Sequence, residues 1–382
     1  MFNYDFLRLT WYILIIILIT GFIITDGLDM GVGILLFIIG RHKSERKIII
    51  NTIAPHWDGN QVWLITTAGA IFAAWPNVYA TLFSSFYIII FILLFALFLR
   101  PIGFEYRSKL SNILWEKICD IFISIGSLIP PISLGIILGC ILQGIPYYFD
   151  RYYHIYSNYD VLTLFSSFNI IIIITLTLLM LNQASNYLQI RINNKNINNK
   201  LSIIIPIISI LLLFFSIISF INIIFYIKGY KLNNIISIYT MHKLPMLISD
   251  IIYGYGMWIN NFLYYPQLFI IPILGILSII CTILFSIYNK DICAFICSIF
   301  YTISAISTIA MTTFPFIIPN SNYINHTLTA WNATSSQLTL NIMLYTALIF
   351  VPIIVLYTFW CYKQMFYKIT IEQINKNPNN FY

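Results

Sequence analysis

Long apolar runs alternate with short polar segments along almost the whole chain. Runs such as WYILIIILITGFIIT and LSIIIPIISILLLFFSIISF contain no charged residue. A helix needs about 20 apolar residues to cross the hydrocarbon core of a bilayer. Nine segments of this kind cover residues 9–39, 50–74, 78–100, 118–142, 163–186, 201–227, 264–288, 292–318 and 335–361. The pattern predicts an all-α polytopic membrane protein, a single integral membrane domain over residues 1–382 with about nine transmembrane helices.

The composition agrees with this prediction. Of the 382 residues, 60% are apolar and only 9% are charged, whereas a soluble domain has about 25% charged residues. The first apolar run begins near Leu7 without a preceding basic region or a small-residue cleavage site, so it predicts a retained helix. None of the six cysteines forms a CxxC pair, which argues against a disulfide framework and a zinc site.

The basic residues are distributed unevenly between the predicted connections. Five lie on one side of the membrane: Arg8, Arg151, Lys228, Lys231 and Lys243. Fifteen lie on the other side: Arg41, Lys43, Arg46, Lys47, Arg100, Arg107, Lys109, Lys117, Arg191, Lys195, Lys200, Lys290, Lys363, Lys368 and Lys376. Because basic loops stay in the cytoplasm, the N-terminus is predicted outside and the C-terminus in the cytoplasm. The net charge of +7 is thereby assigned to topology and not to nucleic-acid binding.

Carboxylates occur inside the first two predicted spans. Asp26 and Asp29 are three residues apart and share a helix face. At about 1.5 Å per residue, Asp29 lies roughly 18 Å from the cytoplasmic turn and Asp58 roughly 16 Å from it. Glycines at 27, 31, 33 and 59 would allow these helices to approach closely. Ionisable groups at such depth are costly and point to function, so the pair predicts either a proton or cation path or a structural contact.

Further ionisable groups lie near the predicted cytoplasmic rim. Glu105, Lys109 and Asp120 follow the third span or open the fourth. Rim groups leading to a buried carboxylate suit a proton wire, because waters can bridge spaced donors and acceptors. Burial also brings the pKa of carboxyl groups closer to neutrality in general. The same residues are equally compatible with polar contacts that hold helices together.

Histidines limit the metal chemistry open to the chain. His56 alone is predicted within the membrane, while the other four fall in loops: His42, His154, His242 and His326. The chain therefore cannot place two histidines opposite each other to hold a haem, although a carboxylate–His56 metal site stays open. Near the C-terminus, LTAWNATSSQLTLNIM (328–343) opens the last span with polar residues including Asn332. For these residues, helix capping and interhelical hydrogen bonds are favoured over a ligand site.

Several segments together resemble subunit II of bacterial cytochrome bd ubiquinol oxidases. They are FIITDGLDMGVGILL, RKIIINTIAPHWDGNQVWLITTAGAIFAAWPNVYA, RPIGFEYRSK and WNATSSQLTLNIM, with the tail YKITIEQINKNPNNFY. The resemblance covers essentially the whole chain and is weakest over residues 145–260. It implies two four-helix bundles plus a peripheral helix in the bacterial inner membrane, as part of a terminal oxidase that oxidises ubiquinol and reduces O2 to water with protons from the cytoplasm.

The resemblance also implies a division of labour. Two b-type haems and one haem d belong to the partner, subunit I, and this chain is a haem-free subunit that stabilises subunit I and helps to carry protons to it. A structural ubiquinone and small accessory subunits belong to the same expectation. The isolated chain is expected to be inactive.

Individual roles follow from the same resemblance. A proton relay would run through Asp120, Lys109, Glu105 and Asp58, with His56 and Trp57 shaping its inner end and Asp29 in support. The contact with subunit I would involve Trp57, Asn60, Gln61 and Trp63. Glu105 and Asn332 depart from the aspartates expected at these positions, which puts a protonic role for Asn332 in doubt.

Two other functions stay open on the residues alone. One is a secondary transporter with a carboxylate site at Asp29 and Asp58, although transporters commonly carry broken helices in both halves and the intramembrane charges here lie in one half. The other is a purely structural partner, in which Asp58 has no protonic role.

Overall fold

The computed structural model describes residues 2–110, 112–150, 152, 154–157, 161–232, 251–365 and 368–369. Most of these residues are helical. The helices are α1 (Tyr4–Ile39), α2 (Lys43–Ile53), α3 (Trp57–Ala74), α4 (Pro76–Ser85), α5 (Tyr87–Tyr106), α6 (Ile113–Gln143), α7 (Val161–Leu164), α8 (Ser167–Arg191), α9 (Lys195–Phe225), α10 (Asn260–Tyr264), α11 (Ile270–Ile287), α12 (Asp291–Thr313) and α13 (Gln337–Met365). Short 3₁₀ turns cover Met257–Ile259, Pro266–Phe269 and Ile324–His326.

Eight helices in the described part of the chain are long and apolar enough to cross a membrane. They correspond to the predicted spans 1 and 3 to 9, and the prediction of an all-α polytopic membrane protein is confirmed. α11 is extended at its start by the 3₁₀ turn from Pro266. The second predicted span is the one that does not form a single apolar helix.

That second span is broken where the sequence predicts a continuous helix over 50–74. α2 begins at Lys43, so Pro55 falls twelve residues into the helical segment and not near its start. Proline lacks the N–H of an intrahelical hydrogen bond and clashes with the preceding turn. The chain therefore turns at residues 54–56, and α3 restarts at Trp57. The first turn of α3, with its free backbone N–H groups, consequently lies within the predicted second span.

The third span also differs from its predicted bounds of 78–100. It divides into α4 and α5 at Phe86, and α5 continues past Arg100 and Pro101 to Tyr106. Arg100, counted as a loop charge in the topology argument, is fully buried in this helix. The helix continues because the charge of Arg100 is paired inside the protein, so the end of the apolar run does not mark the end of the helix.

The helices form two neighbouring groups. In the second half of the chain, α8, α9, α11 and α12 pack against one another in a closed ring. In the first half, α1 packs on α3 and α6, and α6 packs on α5. α1 and α6 also contact α8, which joins the groups, while α13 touches α1 and α3 from the outside.

Close approach of the helices depends on glycines in α1. A Cβ on Gly31 would collide with the carbonyl oxygen of Met180 in α8, and one on Gly33 would collide with Ser127 in α6. The glycines expected to bring spans 1 and 2 together therefore serve contacts with α8 and α6 instead. Around Gly59 in α3 there is no atom within 4 Å of such a Cβ.

Three small antiparallel hairpins lie in the loops on one side of the bundle, and the all-helical prediction missed them. β1 (Tyr147–Phe149) pairs with β2 (Ile155–Ser157), β3 (Lys228–Leu232) with β4 (Ile251–Tyr255), and β5 (Phe316–Ile318) with β6 (Leu328–Thr329). Their aromatic and β-branched residues suit short strands. Tyr147 of β1, Tyr230 of β3 and Phe316 of β5 are buried.

Loops that the sequence assigns to the same side contact one another. On the predicted outer side, the Ile145 N–H donates to the Pro319 carbonyl (2.9 Å), and the Ser335 N–H donates to the Ala74 carbonyl (2.8 Å). On the predicted cytoplasmic side, Lys200 donates to the Ile39 carbonyl (2.7 Å). Three of the basic residues used for topology lie outside the described residues: Arg151, Lys243 and Lys376.

Candidate functional site

Asp58 stands at the start of α3, directly after the break in the second span. It is the second residue of the helix and is exposed on the outer surface of the chain. The free N–H groups and the dipole at a helix N-terminus favour a negative charge there. Because Asn60 is two residues further on, it points about 200° away from Asp58 and into the protein. The break thus presents one polar side chain outward and another inward.

The inward side chains of the break form a hydrogen-bonded group around Asp29. The Asn60 Nδ2 donates to Asp29 Oδ2 (2.7 Å) and lies 3.2 Å from His56 Nδ1. His56 Nδ1 is also 3.8 Å from Asp29 Oδ1. Asp29 is fully buried. The predicted juxtaposition of Asp29 with the polar stretch of span 2 is therefore present, but it runs through Asn60 and His56, whereas Asp58 lies on the opposite face.

Two tyrosines from distant helices complete this group. The Tyr187 hydroxyl of α8 donates to the Thr52 carbonyl (3.0 Å) and lies 3.1 Å from His56 Nε2. The Tyr362 hydroxyl of α13 donates to Asn60 Oδ1 (2.8 Å), and its ring stacks on His56 with centroids 4.8 Å apart. The interpretation of the sequence missed both tyrosines. The polar run NQASN at 182–186 inside the fifth span was the signal that could have drawn attention to α8.

Asp26 has a separate partner. Its Oδ1 lies 2.7 Å from Arg100 Nη1 of α5, and both side chains are fully buried. The first carboxylate of the TDGLD motif thus forms an ion pair between α1 and α5. This is the structural contact that the sequence left open for Asp26.

Asp120 is enclosed by two guanidinium groups. Arg46 Nε donates to Oδ2 (2.8 Å), and Arg107 Nε donates to Oδ1 (2.7 Å). Asp120 was expected at or near the membrane rim, but its side chain is fully buried. With both oxygens engaged by permanently charged donors, Asp120 is suited to holding α2, α5 and α6 together.

Further ion pairs fix α2 on both sides. Lys43 pairs with Glu116 of α6 (2.7 Å), and Glu45 pairs with Lys200 of α9 (3.2 Å). α2 is therefore bound to one helix from each group. Since α2 leads into the break at 54–56, these pairs set the position of the break.

The other predicted relay residues are accessible. Glu105 and Lys109 are both exposed at the end of α5 that the sequence predicts on the cytoplasmic side. Nearby, the indole of Trp115 donates to the Tyr106 carbonyl (2.8 Å), which fixes the turn into α6. The structure thus places three of the four predicted relay groups, Glu105, Lys109 and Asp58, at the surface of the chain, and the fourth, Asp120, within it.

Of the four residues predicted to face subunit I, two are buried and two are half-buried. Trp57 is buried and stacks on Phe104 at 5.5 Å, and Asn60 is buried beside Asp29. Trp63 is half-buried against Gly21, where a Cβ would approach its ring to 2.6 Å. Gln61 is half-buried. The outward face of α3 is formed instead by Asp58, Val62, Ile65, Gly69 and Phe72.

A family model described as cytochrome bd terminal oxidase subunit II matches residues 7–365. The chain belongs to this family. It is 40% identical to cytochrome bd-I ubiquinol oxidase subunit 2 of Escherichia coli K12 over 383 residues, which cover both chains completely. It is 38% identical, again over both full lengths, to a probable cytochrome oxidase subunit 2 of Haemophilus influenzae.

The fold of the family is also found in a solved structure. A chain of the bd oxidase from Geobacillus thermodenitrificans superposes with a TM-score of 0.67 at 14% identity, covering 92% of this chain and 97% of that one. As a cytochrome bd subunit II, the protein is a multi-pass membrane subunit of a ubiquinol oxidase complex and has a subunit I as its partner.

In this subunit II, the Asn332 side chain stabilises the turn before α13 with three hydrogen bonds. Its Oδ1 accepts hydrogen bonds from the Thr329 N–H (2.7 Å) and hydroxyl (3.0 Å), and its Nδ2 donates to the Thr327 carbonyl (3.0 Å). These contacts agree with the structural interpretation of the segment. An aspartate could not make the third of them, because a carboxylate does not donate.

The donor set of the described residues does not fit a haem held between two histidines. His56 is engaged by Asn60 and Tyr187, His42 caps α2, and His154 and His326 lie in loops on the opposite side. His242 lies outside the described residues. Within the described ranges, no group of three or more His, Cys, Asp or Glu side chains could hold a metal ion.

Proposed function

We propose that this chain is the haem-free subunit of a ubiquinol oxidase in the bacterial inner membrane. It stabilises the haem-bearing subunit I and carries cytoplasmic protons toward the site of oxygen reduction. In this proposal subunit I holds two b-type haems and one haem d, which supply the redox chemistry. A structural ubiquinone and small accessory subunits remain compatible with it. The isolated chain binds no haem and does not turn over.

The exposed carboxylate of Asp58 carries the proposal. It is exposed on a helix that starts within the predicted second span. A charged group facing hydrocarbon costs several kcal/mol, on the order of 2.5–3.5 on insertion scales. Covering this face with a second protein removes that cost and brings the carboxyl group to the partner. An outward Asp58 therefore supports both docking and proton delivery at one position.

The docking face in this proposal is the outward stripe of α3. Val62, Ile65, Gly69 and Phe72 continue in line from Asp58 along the helix. A Cβ on Gly69 would meet no atom within 4 Å, so this position is open in the chain itself. Small residues in such a stripe allow a partner helix to approach closely.

The proton path in this proposal begins at Lys109 and Glu105. Both are exposed next to the cytoplasmic end of α5, where water can exchange protons with them. Ordered waters bridge donors and acceptors that are too far apart for direct contact, and they would connect Glu105 with Asp58 along the covered face. Glu105 is longer than aspartate by one methylene, which a hydrated path tolerates. Asp120 holds α2, α5 and α6 together through Arg46 and Arg107 and carries no proton itself in this proposal.

The interior group around Asp29 has a supporting role. Asn60 and His56 connect Asp29 to the backbone turn that carries Asp58. Through the Tyr187 and Tyr362 hydroxyls, the same turn is bound to α8 and α13. We infer that this group fixes the direction of Asp58.

Purification of the complex through a tag on this chain tests the proposal. The expected result is a reduced-minus-oxidised spectrum with b- and d-type haem bands and a co-purifying subunit I. A colourless chain that moves a solute in liposomes without a partner would point to the transporter instead.

The variant Asp58→Asn then tests the path. It should lower O2 consumption and proton uptake per haem while haem content stays normal, whereas Asp150→Asn, on the opposite side of the membrane, should change neither. Normal turnover of a fully assembled Asp58→Asn complex would leave the chain a purely structural partner.

A further inference from the structure

A cavity of about 290 Å³ lies at the cytoplasmic end of the second helix group. It is bounded by the last turn of α8 at Ile190, the turn between α11 and α12, and residue 368. Lys290 and Lys368 both line it and are exposed. Ligand pockets commonly measure about 300–1,000 Å³, so this cavity has room for a small headgroup.

The neighbour of Lys368 holds this lysine in place. The Ile369 N–H donates to the Arg191 carbonyl (2.9 Å), and the Ile369 carbonyl accepts from the Asn193 N–H (3.1 Å). The Ile369 side chain is buried. Lys368 is therefore anchored beside the cavity by the turn between α8 and α9.

An apolar stripe on α12 leads from the cavity into the membrane. Ile292 lines the cavity, and Ile296, Phe300 and Ile303 follow it on one helix face. All four are exposed, with Ile292 at 62% and Phe300 at 59%. The cavity thus combines a charged end at the membrane surface with an apolar surface at acyl-chain depth.

We propose that this cavity binds the phosphodiester headgroup of an anionic membrane phospholipid, with an acyl chain along the stripe of α12. The charged side chains that line the cavity are those of Lys290, Lys368 and one carboxylate, Asp291. The net charge of one positive matches a singly charged phosphodiester. Basic pockets between transmembrane helices on the cytoplasmic side bind lipid headgroups in this way. A free phosphate would use the lysines but not the apolar stripe.

Native mass spectrometry of the intact oxidase complex tests the proposal. The complex is reconstituted in nanodiscs of phosphatidylcholine with phosphatidylglycerol and then delipidated stepwise in detergent. Wild type should retain a phosphatidylglycerol molecule that Lys290→Gln and Lys368→Gln each lose, with affinity reduced about fivefold per lysine. Lys195→Gln is the matched control, because Lys195 is exposed on the same side at the start of α9 and does not line the cavity.

Each alternative outcome overturns the assignment. Equal retention of lipid in the lysine variants and in Lys195→Gln would exclude this cavity as the site. Loss of phosphatidylcholine and phosphatidylglycerol to the same extent would exclude a charged contact. Displacement of the lipid by millimolar inorganic phosphate would identify a free-phosphate site. The haem spectrum of each variant confirms that the complex is intact.

Discussion

Arg100 Nη1 and Asp26 Oδ1 lie 2.7 Å apart between α5 and α1, and neither side chain is exposed to solvent. A buried pair is not by itself a strong source of stability, because both charges are desolvated. Removing either one of the two side chains is strongly destabilising, however, because the other charge is then buried without a partner. The pair therefore makes the contact between α1 and α5 depend on both residues.

Arg100→Gln should destabilise the complex by about 3–5 kcal/mol, because it leaves Asp26 buried without its partner. Thermal denaturation of the purified complex, followed by haem absorbance, measures the loss. Lys43→Gln is the control, because Lys43 is 56% exposed in its pair with Glu116 and exposed pairs contribute only about 0–1 kcal/mol. Equal effects of the two substitutions would contradict a buried structural pair.

Asp120→Asn should lower stability by about 3 kcal/mol or more, because Arg46 and Arg107 lose the carboxylate that both contact. Turnover per assembled complex should stay near that of the wild type. Glu105→Gln should show the reverse, with normal stability and reduced turnover, since Glu105 is exposed. Thermal stability and O2 consumption per haem are measured on the same samples. A stable Asp120→Asn complex without turnover would mean that Asp120 takes part in proton transfer.

Hydropathy and helical spacing were sufficient to predict most of the fold. Eight spans and the shared face of Asp26 and Asp29 follow from them. The bounds of span 3 do not, because the apolar run ends at Arg100, whereas the helix continues to Tyr106 with Arg100 paired inside the bundle. The break at residues 54–56 was missed for a related reason, since α2 begins among charged residues that hydropathy excludes.

The site was predicted less completely than the fold. Local spacing placed Asp29 and the PHWDGN stretch at one level, but it could not distinguish the inward Asn60 from the outward Asp58 without the helix start at Trp57. Tyr187 and Tyr362 are 131 and 302 residues away from their partners His56 and Asn60. Contacts of that separation depend on how helices are arranged, and no local pattern in one sequence encodes them.

The ion pair at Glu45 should make stability depend on pH. Burial alone would raise the pKa of this carboxyl group, but hydrogen bonds from Lys200 and from the His42 and Arg41 N–H groups outweigh it and lower the pKa. A lowered pKa in the folded state means that the stabilisation is present above the ordinary glutamate value of about 4.3 and is lost as the pH falls below it.

Glu45→Gln should therefore lower the thermal midpoint at pH 7, and the difference from wild type should shrink as the pH falls toward 3. Unfolding followed by intrinsic fluorescence between pH 3 and pH 7 measures both. The exposed Glu105, as Glu105→Gln, serves as the comparison and should leave the midpoint at pH 7 close to that of the wild type, because exposed substitutions usually change stability little. A difference at Glu45 that is constant over this range would mean that packing, and not charge, is responsible.

Two glycines separate contacts within the chain from contacts with the partner. Gly31→Ala should destabilise the chain by about 1–3 kcal/mol, because its Cβ would collide with the Met180 carbonyl and force α1 away from α8.

Gly69 is exposed and open, so Gly69→Leu should leave the folding of this chain intact. If subunit I docks on α3, the added side chain should instead reduce the amount of subunit I that co-purifies. Ile276→Phe adds bulk at an exposed position of α11 and should reduce neither. Undiminished recovery of subunit I with Gly69→Leu would place the docking face elsewhere.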